Sequence, residues 1–153
     1  MKLLFRTFST LLILVIGVVL GVFVVARFHD GPLEGALEIV AAGPFDSGEM
    51  QMDTEEPDWA FLKDYSTVEF QLLDPVRSRT TWIMEHEGRI FIPSGYMNSF
   101  LGKVWKHWPK EAEGDGRAIL RVDGKLYERH MVRIRDEAIA TPVLSELSRK
   151  YVG

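Results

Sequence analysis

The stretch Arg117-Ala-Ile-Leu-Arg-Val-Asp-Gly-Lys-Leu-Tyr127 contains two runs in which apolar and polar residues alternate. The runs meet at Asp123-Gly124, a dipeptide that accepts the positive φ angles of a type I′ turn. Ala118, Leu120 and Val122 share one face of the first run, as a half-buried strand requires. The apolar face of the second run contains Leu126, His130, Val132 and Ile134. We therefore predict a β-hairpin over residues 117–135.

Further strand signals precede this hairpin. Thr67–Leu73 alternates, with Val68, Phe70 and Leu72 on one face, and Asp74-Pro75 ends the run. Residues 80–86 and 89–93 are rich in β-branched and aromatic side chains, and Glu87-Gly88 joins them. These two segments predict a second tight hairpin.

Two segments have helical spacing instead. Residues 98–108 place apolar side chains on one face and cationic ones on the other, and Pro109 is expected to close this helix. Thr141 followed by Pro142 resembles an N-cap and first turn. The apolar stripe of the helix that follows consists of Val143, Leu144, Leu147 and Tyr151.

These elements place the chain in the mainly β class, with some α structure. About five or six antiparallel strands with one crossover helix are the order typical of a small barrel. The predicted fold is an antiparallel split β-barrel with two short helices, preceded by a transmembrane helix.

Residues 7–26, between Arg6 and Arg27, carry no charge and are largely apolar. A helix of this length spans about 30 Å, the thickness of the hydrocarbon core of a bilayer. Lys2 and Arg6 precede it and an acidic segment follows it, so the positive-inside tendency places the N-terminus in the cytoplasm. The predicted organisation is a cytoplasmic segment 1–6, a transmembrane helix 7–26, an acidic Gly/Pro-rich linker 27–57 and a soluble domain 58–153. We expect this domain to be periplasmic or otherwise extracytoplasmic, attached to the cell (inner) membrane.

Two alternatives stay open for the N-terminal helix. Val24 and Ala26 have the small side chains of a signal-peptide cleavage site, although the apolar run is longer than that of a typical signal peptide and favours an uncleaved anchor. Gly17 and Gly21 fit the small-xxx-small pattern of contacting membrane helices, which allows a homodimer.

The charge is unevenly distributed. The net charge is -4, with +3 over residues 1–27, -9 over residues 28–64 and +2 over the remainder. So acidic a segment beside the membrane disfavours nucleic acid as a partner and is typical of a solvated stalk. Its one short apolar run, residues 37–42, is expected to add at most an edge strand. The chain has no cysteine, which excludes disulfides and thiolate chemistry.

Sequence motifs for catalysis are missing. Residues 95–104 contain a Gly-Lys pair but not the spacing of a phosphate-binding loop, and no nucleophile elbow or H-E-x-x-H sequence occurs. The four histidines are scattered, so we expect no metal site. The catalytic residues are unknown at this point.

One anion site is a candidate. Arg77, Arg79, Thr80 and Thr81 stand near the beginning of a predicted strand, while Lys103, Lys106 and His107 lie on the predicted helix 98–108. Guanidinium groups offer bidentate donors to a phosphate, and an adjacent aromatic ring could stack on a flat ligand. The alternative is that these cations form a solvated face over an aromatic core.

Four segments together resemble the split β-barrel of the pyridoxamine-phosphate-oxidase-like and deazaflavin-dependent nitroreductase proteins. They are Thr67–Leu73, Thr80-Thr-Trp-Ile-Met-Glu-His-Glu-Gly-Arg-Ile-Phe-Ile-Pro93, Gly102-Lys-Val-Trp-Lys-His-Trp-Pro109 and the hairpin at 117–127. The resemblance covers residues 66–135. It implies that Arg79, Thr80, Thr81, Lys103 and Lys106 bind the phosphate of a flavin mononucleotide (FMN) or deazaflavin cofactor, usually at a dimer interface.

Two functions follow as hypotheses. Because a fold does not determine an activity, the favoured one is a non-enzymatic envelope module for binding or interaction, displayed by a single-pass membrane anchor. The alternative is a flavin- or deazaflavin-binding oxidoreductase similar to the nitroreductases.

Overall fold

The computed structural model describes residues 2–37, 40–52, 55–94 and 107–151. The long N-terminal helix, α1, runs over Lys2–Arg27. Its stretch Leu4–Arg27 is long and apolar enough to cross a membrane, with a mean hydropathy of 2.9. The predicted N-terminal apolar helix is thus confirmed.

Within the described residues, seven strands form two sheets. They are β1 (Glu49–Met50), β2 (Thr67–Leu73), β3 (Val76–Trp82), β4 (Met84–His86), β5 (Arg89–Phe91), β6 (Arg117–Val122) and β7 (Lys125–His130). Five of them make a sheet in the order β1-β7-β6-β2-β3, and β4 pairs with β5. The larger sheet is mixed, since β1 runs parallel to β7 while its other pairs are antiparallel.

The two predicted tight turns are confirmed. Asp123 and Gly124 have φ angles of 49° and 73°, and Glu87 and Gly88 have 52° and 75°. Consecutive positive φ angles are the signature of the type I′ turn, whose twist matches that of the flanking strands. The first turn joins β6 to β7 and the second joins β4 to β5.

Segment 80–86, predicted as one strand, is interrupted at Ile83. The Ile83 carbonyl accepts hydrogen bonds from Lys150 Nζ at 3.1 Å and from the Tyr151 hydroxyl at 2.9 Å. The backbone N–H of Ile83 donates to the same hydroxyl. Side chains from the C-terminal helix therefore take the bonds that a neighbouring strand would make. The strand before this break, β3, begins at Val76 rather than at residue 80. It pairs with β2, and the two form a third hairpin across Asp74-Pro75.

One face of the large sheet carries the core. Phe70 of β2 lies beside Leu120 of β6, and both are buried. The 3₁₀ helix Trp59–Asp64 covers this face with Trp59 and Leu62, each fully buried. The short helix α2, Trp108–Gly114, adds Trp108, whose ring meets that of Phe70 edge to face at 5.2 Å. Burial of these large side chains is the main force that holds the domain together.

The opposite face is covered by residues 28–37 and 40–50, which we call the proximal segment. Ala42 pairs with Ser78 on the β3 edge, and Glu49 pairs with Lys125 on the β7 edge. Between them the backbone N–H of Phe45 donates to Oε1 of Gln71, in the middle of the sheet, at 2.5 Å. Here the structure differs from a solvated stalk, because the short turns of this segment let its backbone bond to both edges of the sheet.

The end of α1 is part of this packing. Ala26 is fully buried, and its carbonyl accepts the N–H of Gly43 at 2.8 Å. The Gly43 carbonyl in turn accepts the buried hydroxyl of Ser78 at 2.6 Å. A chain of hydrogen bonds therefore connects the apolar helix to the β3 edge.

The C-terminal helix α3, Glu137–Tyr151, begins before Thr141, so the predicted N-cap is wrong. Asp136 performs that role, accepting the N–H of Ala138 at 2.9 Å, which is the Asx cap that favours helix initiation. Pro142 lies inside the helix. Of the predicted apolar stripe, Val143 is buried and Tyr151 packs on the domain, whereas Leu144 is exposed.

The predicted helix 98–108 falls almost entirely outside the described residues. Pro109 lies in the first turn of α2 rather than at the end of a helix, a position where its missing N–H costs no hydrogen bond. Within the described ranges the two sheets form no closed barrel. What is established is a mixed sheet with short helices, mostly β with some α, behind an N-terminal apolar helix.

Candidate functional site

Three of the predicted ligand residues lie on β3, where the pleat separates them. Arg79 and Thr81 pair with Phe70 and Val68 and share the core face, together with Arg77. Thr80 pairs with Glu69 and points to the opposite face. Lys103 and Lys106 lie outside the described residues. The five predicted residues therefore do not form one described site.

On the core face, Arg79 has an unusual environment. Its Nε atom is buried and meets no acceptor in the part of the chain that the structure describes. Burial lowers the pKa of Arg79, partly opposed by nearby Glu111, while Arg77 lowers it further. Arg77 contacts Glu111 on α2 across 3.8 Å, and Glu111 Oε2 is itself buried without a donor among the described residues. Orphaned buried polar atoms are uncommon in proteins and require a physical reason.

On the other face, the proximal segment and the sheet enclose an open cleft of about 550 Å³. Its floor is formed by residues of β2, β3 and β6, and its rim by residues 30–35 and by the β6–β7 turn. Thr80 is the one predicted ligand residue that lines it, as far as the described residues show. The cleft and the Arg79 cluster thus lie on opposite faces of the same sheet.

Arg121 of β6 organises the cleft. Its Nε donates to Oε2 of Glu69 at 2.6 Å, and its Nη1 donates to Oδ1 of Asp30 at 2.9 Å. The guanidinium carbon lies 4.1 Å from the ring centroid of Phe45, within cation–π distance. Only 12% of the Arg121 side chain is exposed, so these contacts hold it in one position.

The acidic side chains of the cleft are partly engaged within the protein. Hydrogen bonds hold the pKa of Asp30 well below its usual range. The bond from the Ser47 hydroxyl has the largest effect, those from the Asp46 N–H and from Arg121 lower the pKa further, and burial opposes them. The Tyr65 hydroxyl donates to Asp123, which raises the pKa of Tyr65. These bonds fix the positions of Asp30 and Asp123 at two sides of the cleft.

The lining is net negative. Asp30, Glu34, Glu69 and Asp123 carry four negative charges and Arg121 one positive charge. A phosphate would be repelled here, since like charges in a partly enclosed site are unfavourable. In the described ranges, no three His, Asp or Glu side chains are grouped so as to hold a metal ion.

Sequence reasoning missed this cleft. Glu69 is the single charged residue of its alternating strand, Arg121 is one of two in its own, and Asp30 lies in a segment with the composition of a linker. Arg121 is separated from Asp30 by 91 residues, so their contact depends on the whole fold. The available signal was an acidic residue in one predicted strand and a basic residue in another, which form a favourable pair when they lie opposite each other.

Comparison of the chain with family models, with curated proteins and with solved structures finds no match. The functional conclusions below therefore rest on the geometry of this molecule.

Proposed function

We propose that this chain is a single-pass membrane protein whose β-rich domain lies outside the cytoplasm and serves as a non-enzymatic binding or interaction module of the cell envelope. The observation that carries the proposal is the exposure of α1. The most apolar 18 residues of this helix include none that is buried inside the protein, and the buried Ala26 lies beyond them at the end of the helix. An apolar surface of this length in water would be strongly unfavourable, and a bilayer removes that cost.

Charge supports the orientation. Lys2 and Arg6 precede the apolar stretch, and the residues that follow Arg27 are acidic. Basic residues tend to be retained on the cytoplasmic side, which supports a position of the C-terminal domain outside the cytoplasm.

The packing of Ala26 supports an uncleaved anchor. Cleavage after Ala26 would remove a fully buried residue whose carbonyl accepts the N–H of Gly43, so the folded domain includes the end of this helix. An exposed, extended cleavage site is absent from this described part of the chain, since it is helical through Arg27.

The test is a pair of reporters fused after Gly153. Alkaline phosphatase folds only outside the cytoplasm, whereas green fluorescent protein matures inside it. We expect phosphatase activity without fluorescence, and retention of the chain in carbonate-washed membranes. Fluorescence without phosphatase activity would overturn the topology, and a chain released from the membranes with the mass of residues 27–153 would reveal cleavage after Ala26.

The proposal includes a split barrel, in which the five-stranded sheet and the β4–β5 hairpin would be the two halves.

The proposal also includes a homodimer through Gly17 and Gly21. A Cβ atom added at either glycine would meet no described atom within 4 Å, apart from the backbone of the helix itself, so the two glycines leave a smooth helix surface. Substituting both glycines by leucine should remove a dimer detected by crosslinking in intact membranes.

The second candidate function is binding of FMN or deazaflavin, with an oxidoreductase activity. The observation that favours it is the orphaned Nε of Arg79 beside Arg77, because a phosphate oxygen would satisfy that donor. Thr81 shares this face, and Lys103 and Lys106 are proposed to contribute further positive charge. An absorbance spectrum of the purified full chain, followed by titration with FMN, tests the idea. A colourless protein without saturable binding would refute it, and Arg79→Gln, with Arg117→Gln as control, would locate any binding observed.

A further inference from the structure

The cleft beside the proximal segment has a floor that is fixed before any ligand arrives. Arg121 is held by Glu69, by Asp30 and by the ring of Phe45. The backbone carbonyl of Asp30 accepts a further bond from the same guanidinium at 3.3 Å. A ligand that enters this cleft therefore loses little free energy in ordering the side chains beneath it.

The size of the cleft fits a small molecule or a single head group. Its volume of about 550 Å³ lies in the range of roughly 300–1,000 Å³ that is typical of ligand sites. Its walls combine the hydroxyls of Tyr65, Thr67 and Thr80 with the apolar side chains of Pro32 and Leu33. Such a mixture provides both hydrogen bonds and contact area.

The lining determines the sign of the ligand's charge. Asp30 and Glu69 share a single guanidinium, and Asp123 is bonded to the neutral Tyr65. The side chain of Glu34, on the rim, makes no hydrogen bond or ion pair with the described residues. A cation placed between Glu34 and Glu69 would offset this excess of negative charge, whereas an anion would add to it.

The cleft also lies close to the end of the apolar helix. Asp30 follows Arg27 by three residues, a span of at most about 11 Å even for an extended chain. If α1 crosses a bilayer, the cleft opens at the level of the lipid head groups.

We propose that the cleft binds the ammonium group of a small amine, supplied either by a soluble polyamine or by the ethanolamine head group of a lipid. The inference rests on the proposed role as a binding module and names the class of its ligand. The ammonium group lies between Glu34 and Glu69, and Thr80 accepts a hydrogen bond from it. Both sources offer the same cation, and membrane composition distinguishes them.

The experiment uses the full chain in phosphatidylcholine nanodiscs, titrated with spermidine in a calorimeter, with inorganic phosphate as the anionic probe. Thr80→Lys places a competing ammonium group in the cleft, and Ser145→Lys adds the same charge on the exposed side of α3. Glu34→Gln removes one carboxylate from the rim, and Glu55→Gln removes one elsewhere. Glu34→Lys is a second blocking variant, at an exposed position where misfolding is not expected, and circular dichroism checks that each variant is folded.

We expect saturable binding of spermidine at one site and none of phosphate. Thr80→Lys and Glu34→Lys should weaken binding at least tenfold, and Glu34→Gln by about two- to fivefold, the range of a partly exposed ion pair. Ser145→Lys and Glu55→Gln should leave it unchanged. If ethanolamine lipid is the natural ligand, nanodiscs that contain it should lower the apparent affinity for spermidine.

Absence of saturable binding to the wild-type chain, or equal binding by both blocking variants and Ser145→Lys, would overturn the proposal, as would tighter binding of phosphate. Because the titration uses purified protein, it does not depend on topology. A cytoplasmic reporter result would refute the proposed function while leaving the binding result standing.

Discussion

Replacement of Arg121 by methionine tests whether the cleft and the proximal segment are held by a single side chain. Methionine keeps an unbranched apolar stem, while the charge, the five donors and the guanidinium contact with the Phe45 ring are lost. Glu69 and Asp30 are left facing each other without their shared cation.

The magnitude follows from the exposure of the three side chains. Breaking a fully buried ion pair costs about 3–5 kcal/mol, whereas an exposed pair contributes at most about 1 kcal/mol. Arg121 is 12% exposed but its partners are 36% and 33% exposed, so water can solvate the carboxylates in part. We therefore expect Arg121→Met to lower the free energy of unfolding by about 3 kcal/mol, which for a domain of this size lowers Tm by roughly 10 °C.

Arg117→Met is the matched control. Arg117 lies on the same strand and the same face, but its side chain is 65% exposed and its partner Asp115 is local in sequence. The expected loss is below about 1 kcal/mol. Thermal and urea unfolding of the full chain in detergent, followed by circular dichroism, measures both variants.

The uncompensated carboxylates provide an internal check. Adding Glu69→Gln and Asp30→Asn to Arg121→Met removes the facing negative charges and should recover part of the lost stability. The reasoning would be refuted if Arg121→Met were no more destabilising than Arg117→Met, or if the triple variant were as unstable as the single one.

Three further predictions concern other contacts. In Gly43→Ala the new Cβ would collide with the backbone carbonyl oxygen of Arg27 at the end of α1, so we expect about 2–4 kcal/mol of destabilisation by urea unfolding. Gly114→Ala is the control, because a Cβ there meets no described atom within 4 Å. Equal stability of the two variants would contradict the packing at Gly43. Ser78→Ala removes the buried donor to the Gly43 carbonyl and should cost about 1–3 kcal/mol by the same assay, whereas a loss below the error would contradict the stabilising role of this hydrogen bond. Hydrogen bonds from the Arg117 side chain and backbone lower the pKa of Asp115 to about 2. The contribution of Asp115 to stability is therefore present above pH 3.8 and is lost as the pH falls towards 2. A carboxyl NMR titration should give this lowered pKa, and the same pKa in Arg117→Met would contradict the cause.

The local structure of the sheet could be predicted because its signals are local. Asp123-Gly124 and Glu87-Gly88 are turn dipeptides whose conformation needs no tertiary contact, and the alternation in Thr67–Leu73 is visible without a partner strand. The strand order could not be predicted in the same way. The contact between Phe70 and Leu120 joins strands fifty residues apart, and a slip of one residue would reverse every side chain.

For the candidate site, one feature could be predicted from the sequence and another could not. That Arg79 and Thr80 point to opposite faces follows from the pleat alone, so a strand at this position is already inconsistent with one phosphate site that contains both. The Arg121 centre could not be found, because it needs the acidic segment to fold back over the sheet. Net charge and glycine content describe a linker equally well, and tertiary contacts such as the pairing of Ala42 with Ser78 and of Glu49 with Lys125 distinguish the two.

The proximal segment makes the helix and the domain one mechanical unit. The carbonyl of Ala26 accepts Gly43, Gly43 accepts Ser78 on one edge of the sheet, and Glu49 pairs with the other edge, while Asp30 between them is held by Arg121. Removing residues 1–27 would therefore leave the N–H of Gly43 without its acceptor and release the rim of the cleft. Since the rim supplies Asp30 and Glu34, an amine site would be weakened in a truncated domain even though none of the deleted residues lines it. For that reason the apolar helix α1 contributes to the shape of the cleft.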